Sequence, residues 1–228
     1  MTENKESAVS ELQFTLDPEQ VAYWYFRLNG FFTTVNLLVH SEEGMAVRTD
    51  VDILAVRFPH REELLTNPMP DDPRFLGKAK SYVAIAEVKQ DRCGLNGPWT
   101  RREDQNMHRV LAAIGAVPRE ERERAAQALY DVGVYESEDF YLTLCCLGNR
   151  QNPEWLRRFP LVPQVLWADV AQFIYGRFTA YREQKRANRQ WDNTGRTLYA
   201  LACSQDQGSF IETVLKAIAA YSAEGAAN

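Results

Sequence analysis

The run Tyr82-Val83-Ala84-Ile85-Ala86 is unbroken apolar sequence that leads directly into Glu87-Val88-Lys89. It has the signature of a buried strand, and with helical periodicity on either side of it the chain reads as α/β. Side chains alternate along a strand, so Glu87 and Lys89 leave on the same side with Val88 between them. Arg48-Thr49-Asp50-Val51-Asp52-Ile53-Leu54-Ala55-Val56-Arg57 reads as a second strand with Asp50 and Asp52 near its start. If the two strands are neighbours, Asp52 and Glu87 meet over one spot with Lys89 alongside. Two carboxylates and an ammonium at the edge of an apolar sheet are costly to desolvate unless they pair or hold a metal ion. Such a group suits phosphodiester hydrolysis, in which a divalent ion polarises the phosphate and acidifies a water.

The elements around these strands follow a definite order. Asp17-Pro18-Glu19-Gln20 carries an N-cap, a proline at the first helical position and a capping-box spacing, which predicts a helix through Leu28 ended by Asn29-Gly30. Val21 to Phe26 is apolar nearly all round, so this helix is expected against the sheet. Phe31 to Val39 reads as a strand, followed by the Ser41-Glu42-Glu43-Gly44 turn and the Asp52 strand. Residues 59–78, with four prolines, read as a surface excursion holding a short helix from Arg61 to Leu65. Past the Glu87 strand, Gln90 to Arg101 reads as a loop and Glu103 to Ile114 as a helix. Tyr141 to Leu147 is a further core strand, Leu161 to Leu166 a short one, and Trp167 to Arg186 and Phe210 to Tyr221 are helical.

The Asp…Glu-x-Lys pattern, set in the order helix with Glu, hairpin with Asp, Glu-x-Lys strand and second helix, resembles the PD-(D/E)xK nuclease superfamily. The resemblance covers roughly residues 17 to 148. It implies a restriction-endonuclease-like core, a central mixed sheet flanked by helices, with a polar arm at 1–16 and a helical C-terminal extension at 149–228. It also implies the chemistry: Mg2+ or Mn2+ held by Asp52, Glu87 and the Val88 carbonyl, Lys89 orienting the attacking water, and Glu19 holding a water or a second ion. DNA is the favoured substrate over RNA. A catalytically silent binding or assembly subunit is the alternative in another class, and a place in a bacterial defence or mobile-element system fits by analogy.

Each residue also has a plainer reading. Glu87 and Lys89 can be an ion pair at a solvated strand end, Asp52 a carboxylate that protects a sheet edge, and Glu19 a carboxylate favoured by the helix dipole. Asp50, on the same face, rivals Asp52. Arg102, Asn106 and Arg109 form either a phosphate track or the polar face opposite Met107, Val110, Leu111 and Ile114. From Arg177 to Arg196 the balance is six basic residues to two acidic, and Arg182, Lys185, Arg186 and Arg189 are the candidates for phosphate contact, with Tyr181 and Trp191 interleaved. The net charge of −5 argues mildly against unaided nucleic-acid binding, so a protein partner or a homo-oligomer is expected. No apolar run approaches the roughly 20 residues of a membrane span, and the polar first residues lack a signal-peptide core. Four cysteines without ligand spacing make zinc a poor fit and the cytoplasm the expected compartment.

Overall fold

The structure is a computed structural model that describes residues 14–40, 47–66, 68–76, 79–186 and 190–221. Its centre is one mixed sheet of six strands. Strands β1 (Phe32–His40), β2 (Val47–Arg57) and β3 (Ser81–Val88) run antiparallel in sequence. Strand β3 then pairs in parallel with β5 (Phe140–Gly148). The far edge of β5 is shared by β4 (Val134–Glu136), antiparallel, and β6 (Gln164–Leu166), parallel. Strand β3 is buried along almost its whole length, which is why its sequence shows a continuous apolar run and not alternation.

Two cores flank the sheet. On one face lie helices α1 (Pro18–Leu28), α5 (Trp167–Ala180), α7 (Asn193–Ser204) and α8 (Gln207–Ala219), packed on Ile53, Ala84, Ala86, Cys145 and Leu147. On the other lie α2 (Asn106–Ile114) and α3 (Arg122–Val132), packed on Val83, Ile85, Leu144 and Cys146. Adjacent Cys145 and Cys146 thus serve opposite cores, as strand alternation requires. The first helix starts as expected: the Asp17 carboxylate accepts the Glu19 N–H at 2.8 Å. Among the described residues no helix is long and apolar enough to cross a membrane.

Several sequence expectations are corrected. Residues 61–65 are not helical; among the described residues, the excursion between β2 and β3 holds only a 3-10 turn at Pro73–Phe75. An open backbone there lets Arg61 and Glu63 reach into an ionic cluster with Asp71, Arg177 and Lys185. The helix expected from Glu103 begins at Asn106, after a 3-10 turn at Arg102–Asp104 and Gln105 in the left-handed region (φ 53°). The strand expected from Leu161 shortens to β6, behind Pro163. The helix expected to reach Arg186 ends at Ala180, followed by a four-residue turn, α6 (Arg182–Lys185). Helix α4 (Pro153–Arg158) precedes β6.

Candidate active site

The pairing of β2 with β3 runs from Arg57↔Tyr82 to Ile53↔Ala86. The next residues along, Asp52 and Glu87, flank the point where the two strands part. In place of a ladder bond, the Asp52 carboxylate accepts the Val88 N–H at 2.7 Å. A change of pleat puts it there. Ile53 and Ala55 belong to the first core but Val51 to the second, and on β1 Val35 packs on the first core but Leu37 on the second. Asn36, which lies between the register pairs Val35↔Ile53 and Leu37↔Val51, takes φ 54°. A positive φ on a non-glycine residue within a strand is unusual and costs free energy. It coincides with the position facing Asp52.

Glu87 lies one strand over and is only 2% exposed. Its Oε1 accepts the Lys89 ammonium at 2.5 Å and the Asn96 amide, and its Oε2 accepts the Trp99 indole N–H at 2.5 Å. The shared side of Glu87 and Lys89 follows the strand geometry read from the sequence. Asn96 and Trp99 come from the loop after β3, which folds back through a 3-10 turn at Gly97–Trp99. The C-terminal segment closes the other side. The Trp167 indole donates to the Lys89 carbonyl at 2.9 Å, and the Gln90 amide donates to the carbonyls of Ile218 (3.1 Å) and Tyr221 (2.6 Å) at the end of α8.

Glu19 enters from the first turn of α1. Burial is the largest cause raising its carboxyl above the ordinary range, followed by Asp17, and the charges of Asp50 and Glu87 act the same way, while a hydrogen bond with Asn36 opposes them. Asp52 is pushed up to about 7, first by burial and then by Glu87; the Val88 N–H and Lys89 oppose the rise, and Glu19 adds to it. Carboxylates from α1, β2 and β3 therefore share one corner with the Lys89 ammonium. Asp50 pairs with Leu38 in the β1–β2 ladder and is exposed. It acts on Glu19, whereas Asp52 is acted on by both Glu87 and Glu19.

The oxygen donors and the surplus of negative charge suit a hard divalent cation. The arrangement is not a finished cage. Among the described residues no three His, Cys, Asp or Glu side chains are placed to hold an ion together, and both oxygens of Glu87 already accept donors. Asp52 and the Val88 carbonyl, which lies on the same side of the strand as the Val88 N–H by strand geometry, are the better disposed ligands. Glu87 can join them through the remaining lone pair of Oε2, or by releasing Asn96 or Lys89 from Oε1.

Most of the candidate phosphate contacts are engaged by other groups of the chain. Arg102 is exposed and bound to Asp131 and Gln127. Asn106 is buried, 2% exposed, so it does not line an open track. Arg109 donates to the Asp104 carbonyl at 2.7 Å. Lys185 is held by Glu63 at 2.5 Å. Arg182 donates to the Cys203 carbonyl and Arg186 pairs with Glu183, both exposed. Arg189 lies outside the described residues. No sequence pattern marked Asn36, Asn96, Trp99 or Trp167. The one available signal was the Asn96-Gly97-Pro98 turn, which returns Trp99 towards the strand. No known family model matches this chain, and neither the curated proteins nor the solved structures contain a match to it.

Proposed function

We propose that this chain is a metal-dependent phosphodiesterase of the PD-(D/E)xK type, acting on nucleic acid and on DNA in preference to RNA. The observation that carries the reading is the meeting of Asp52, Glu87 and Lys89 where β2 and β3 part, with Asp52 pushed up to about 7 by burial and its carboxylate neighbours. A carboxylate so disfavoured as an anion gains from a cation beside it. A bound divalent ion would supply Lewis-acid polarisation of the phosphate and acidification of a water. Asp52 and the Val88 carbonyl would hold it, with Glu87 as a further ligand. Lys89 has its ammonium within reach of the same corner and would orient the water and offset charge building on the phosphate. Glu19 would accept a proton from a second water.

One observation favours a second reading. Glu87 is held by Lys89, Asn96 and Trp99, which is also what a vestigial site locked as a structural ion network would look like. That reading gives a binding or assembly subunit with the same fold. Incubating the protein with duplex DNA, single-stranded DNA and RNA, in Mg2+ or Mn2+ and in chelator, separates the two. Products that appear with the metal and vanish in chelator support the enzyme. Intact substrates under every condition would leave only the silent reading, and RNA cut faster than DNA would reverse the substrate preference.

A further inference from the structure

The loop that brings Asn96 and Trp99 to Glu87 begins beside a pair of thiols. Its root is laced to the residues after β5. Arg92 bridges Arg150 in parallel, Cys93 N–H donates to the Arg150 carbonyl at 2.9 Å, and Arg150 pairs with Asp91 at 2.6 Å. Gly148 permits this approach, because a Cβ there would lie 2.7 Å from the Cys93 nitrogen and 3.0 Å from its sulfur. Cys93 is thereby turned onto β5, where its thiol donates to the Cys146 carbonyl oxygen at 3.9 Å and the Cys146 thiol, near enough to act on its titration, donates to the Pro163 carbonyl oxygen at 3.8 Å. Cys146 is in turn the register partner of Glu87 on β3. Cys145 faces the opposite core, and Cys203 lies on α7.

We propose that Cys93 and Cys146 are a disulfide-forming modification site, oxidised by exchange with a small-molecule disulfide, and that the bond fastens the root of the loop to β5 beside Glu87. The Cys93 thiolate attacks one sulfur of the reagent RSSR, giving a mixed disulfide and releasing one RSH once the leaving thiolate takes a proton. Cys146 then attacks the Cys93 sulfur and releases the second RSH. Two electrons pass from the cysteine pair to the reagent, and two thiol protons end on the two RSH molecules. Cys93 is the entry point because Asp91 and Arg92 beside it are exposed, whereas Cys146 sits within the sheet. Hydrogen bonding with Cys146 also holds the Cys93 thiol below its ordinary range. Both sulfurs are buried, so the exchange proceeds at the rate at which the loop root opens. The inference stands whether or not the site hydrolyses phosphodiesters.

The test is incubation of the full-length protein with oxidised glutathione, then alkylation and peptide mapping by mass spectrometry. Two of the four free thiols are expected to disappear, with a loss of two hydrogens in mass, a single cross-linked pair of peptides joining Cys93 to Cys146, and reversal by dithiothreitol. A Cys145→Ser/Cys203→Ser variant keeps only the proposed pair and is expected to form the same bond within one chain. The proposal is overturned if that variant keeps both thiols free to alkylate, if it stops at a glutathione adduct, or if the parent links a different pair.

Discussion

At Asp52 three effects oppose the negative charge, namely burial, Glu87 and Glu19, while the Val88 N–H and the Lys89 ammonium favour it. The carboxyl titrates near 7 in the folded chain and near 3.8 when free. Between these values the folded state holds a proton that the unfolded state has released, so its contribution to stability is full below about pH 4 and is lost as pH rises through 7. In chelator, the parent protein is therefore expected to lose about 1–2 kcal/mol between pH 5 and pH 8, a figure discounted for the partial exposure of the group. Asp52→Asn, which keeps the shape and removes the titration, is expected to flatten that slope in urea melts across the range. An unchanged slope would place the pH sensitivity elsewhere. Strand alternation made the meeting of Glu87 with Lys89 legible in the sequence, because a two-residue period needs no knowledge of the fold. The loop donors to Glu87 were not legible. Trp99 and Asn96 reach it by a loop that turns back on itself, and no local pattern specifies where a loop returns.

Among the elements, those with strong local chemistry were visible before the fold. The first helix announced itself through Asp17 and Pro18, and β3 through its apolar run. Helix α3 and strand β4 were not read, because α3 is largely charged outside Ala125, Ala126, Leu129 and Tyr130, and β4 spans three residues. Helix α7 was hidden in a stretch noticed for its positive charge, although Asp192 caps it by accepting the Gly195 N–H at 2.7 Å. Gly195 shows what this helix is packed against. A Cβ there would lie 1.9 Å from the Trp24 ring. Trp24 cannot retreat, since it is fully buried and its indole N–H is bound to Asp192 at 3.0 Å. Replacing a helical glycine by alanine ordinarily gains about 1 kcal/mol. Here overpacking wins, and Gly195→Ala is expected to destabilise the chain by roughly 1–3 kcal/mol in urea denaturation. A gain in stability would mean that α7 packs less closely on α1.

At the scale of the molecule, the C-terminal extension is part of the first core and not an ornament upon it. Val170, Ile174, Phe178, Leu198, Phe210 and Val214 pack in one cluster with Val21, Trp24, Ile53 and Ala86. Arg177, fully buried, joins the extension to the β2–β3 excursion through Asp71 at 2.6 Å and Glu63 at 3.2 Å. Arg177→Met removes the buried donors to Asp71, Glu63 and the Met69 and Pro70 carbonyls, while Arg57, Arg61 and Lys185 still neutralise the two carboxylates, so it is expected to cost about 1–3 kcal/mol. It should also sharpen proteolytic cleavage within residues 58–70, which limited digestion would reveal. The fragment 1–148 is expected not to fold cooperatively, because it would expose the apolar face of α1; a cooperative thermal transition in that fragment would contradict the shared core.

The most direct measurement of the central claim is the single-turnover rate of DNA cleavage in Mn2+ by the parent protein, Asp52→Asn, Lys89→Ala and the surface control Arg186→Gln, with folding checked by circular dichroism. Loss of a group that stabilises the transition state typically costs on the order of 10²–10³ in rate. Falls of that size are predicted for Asp52→Asn and Lys89→Ala, with the control unchanged. A parent protein that shows no metal-dependent cleavage, or site variants that cut as fast as the parent, would contradict the account.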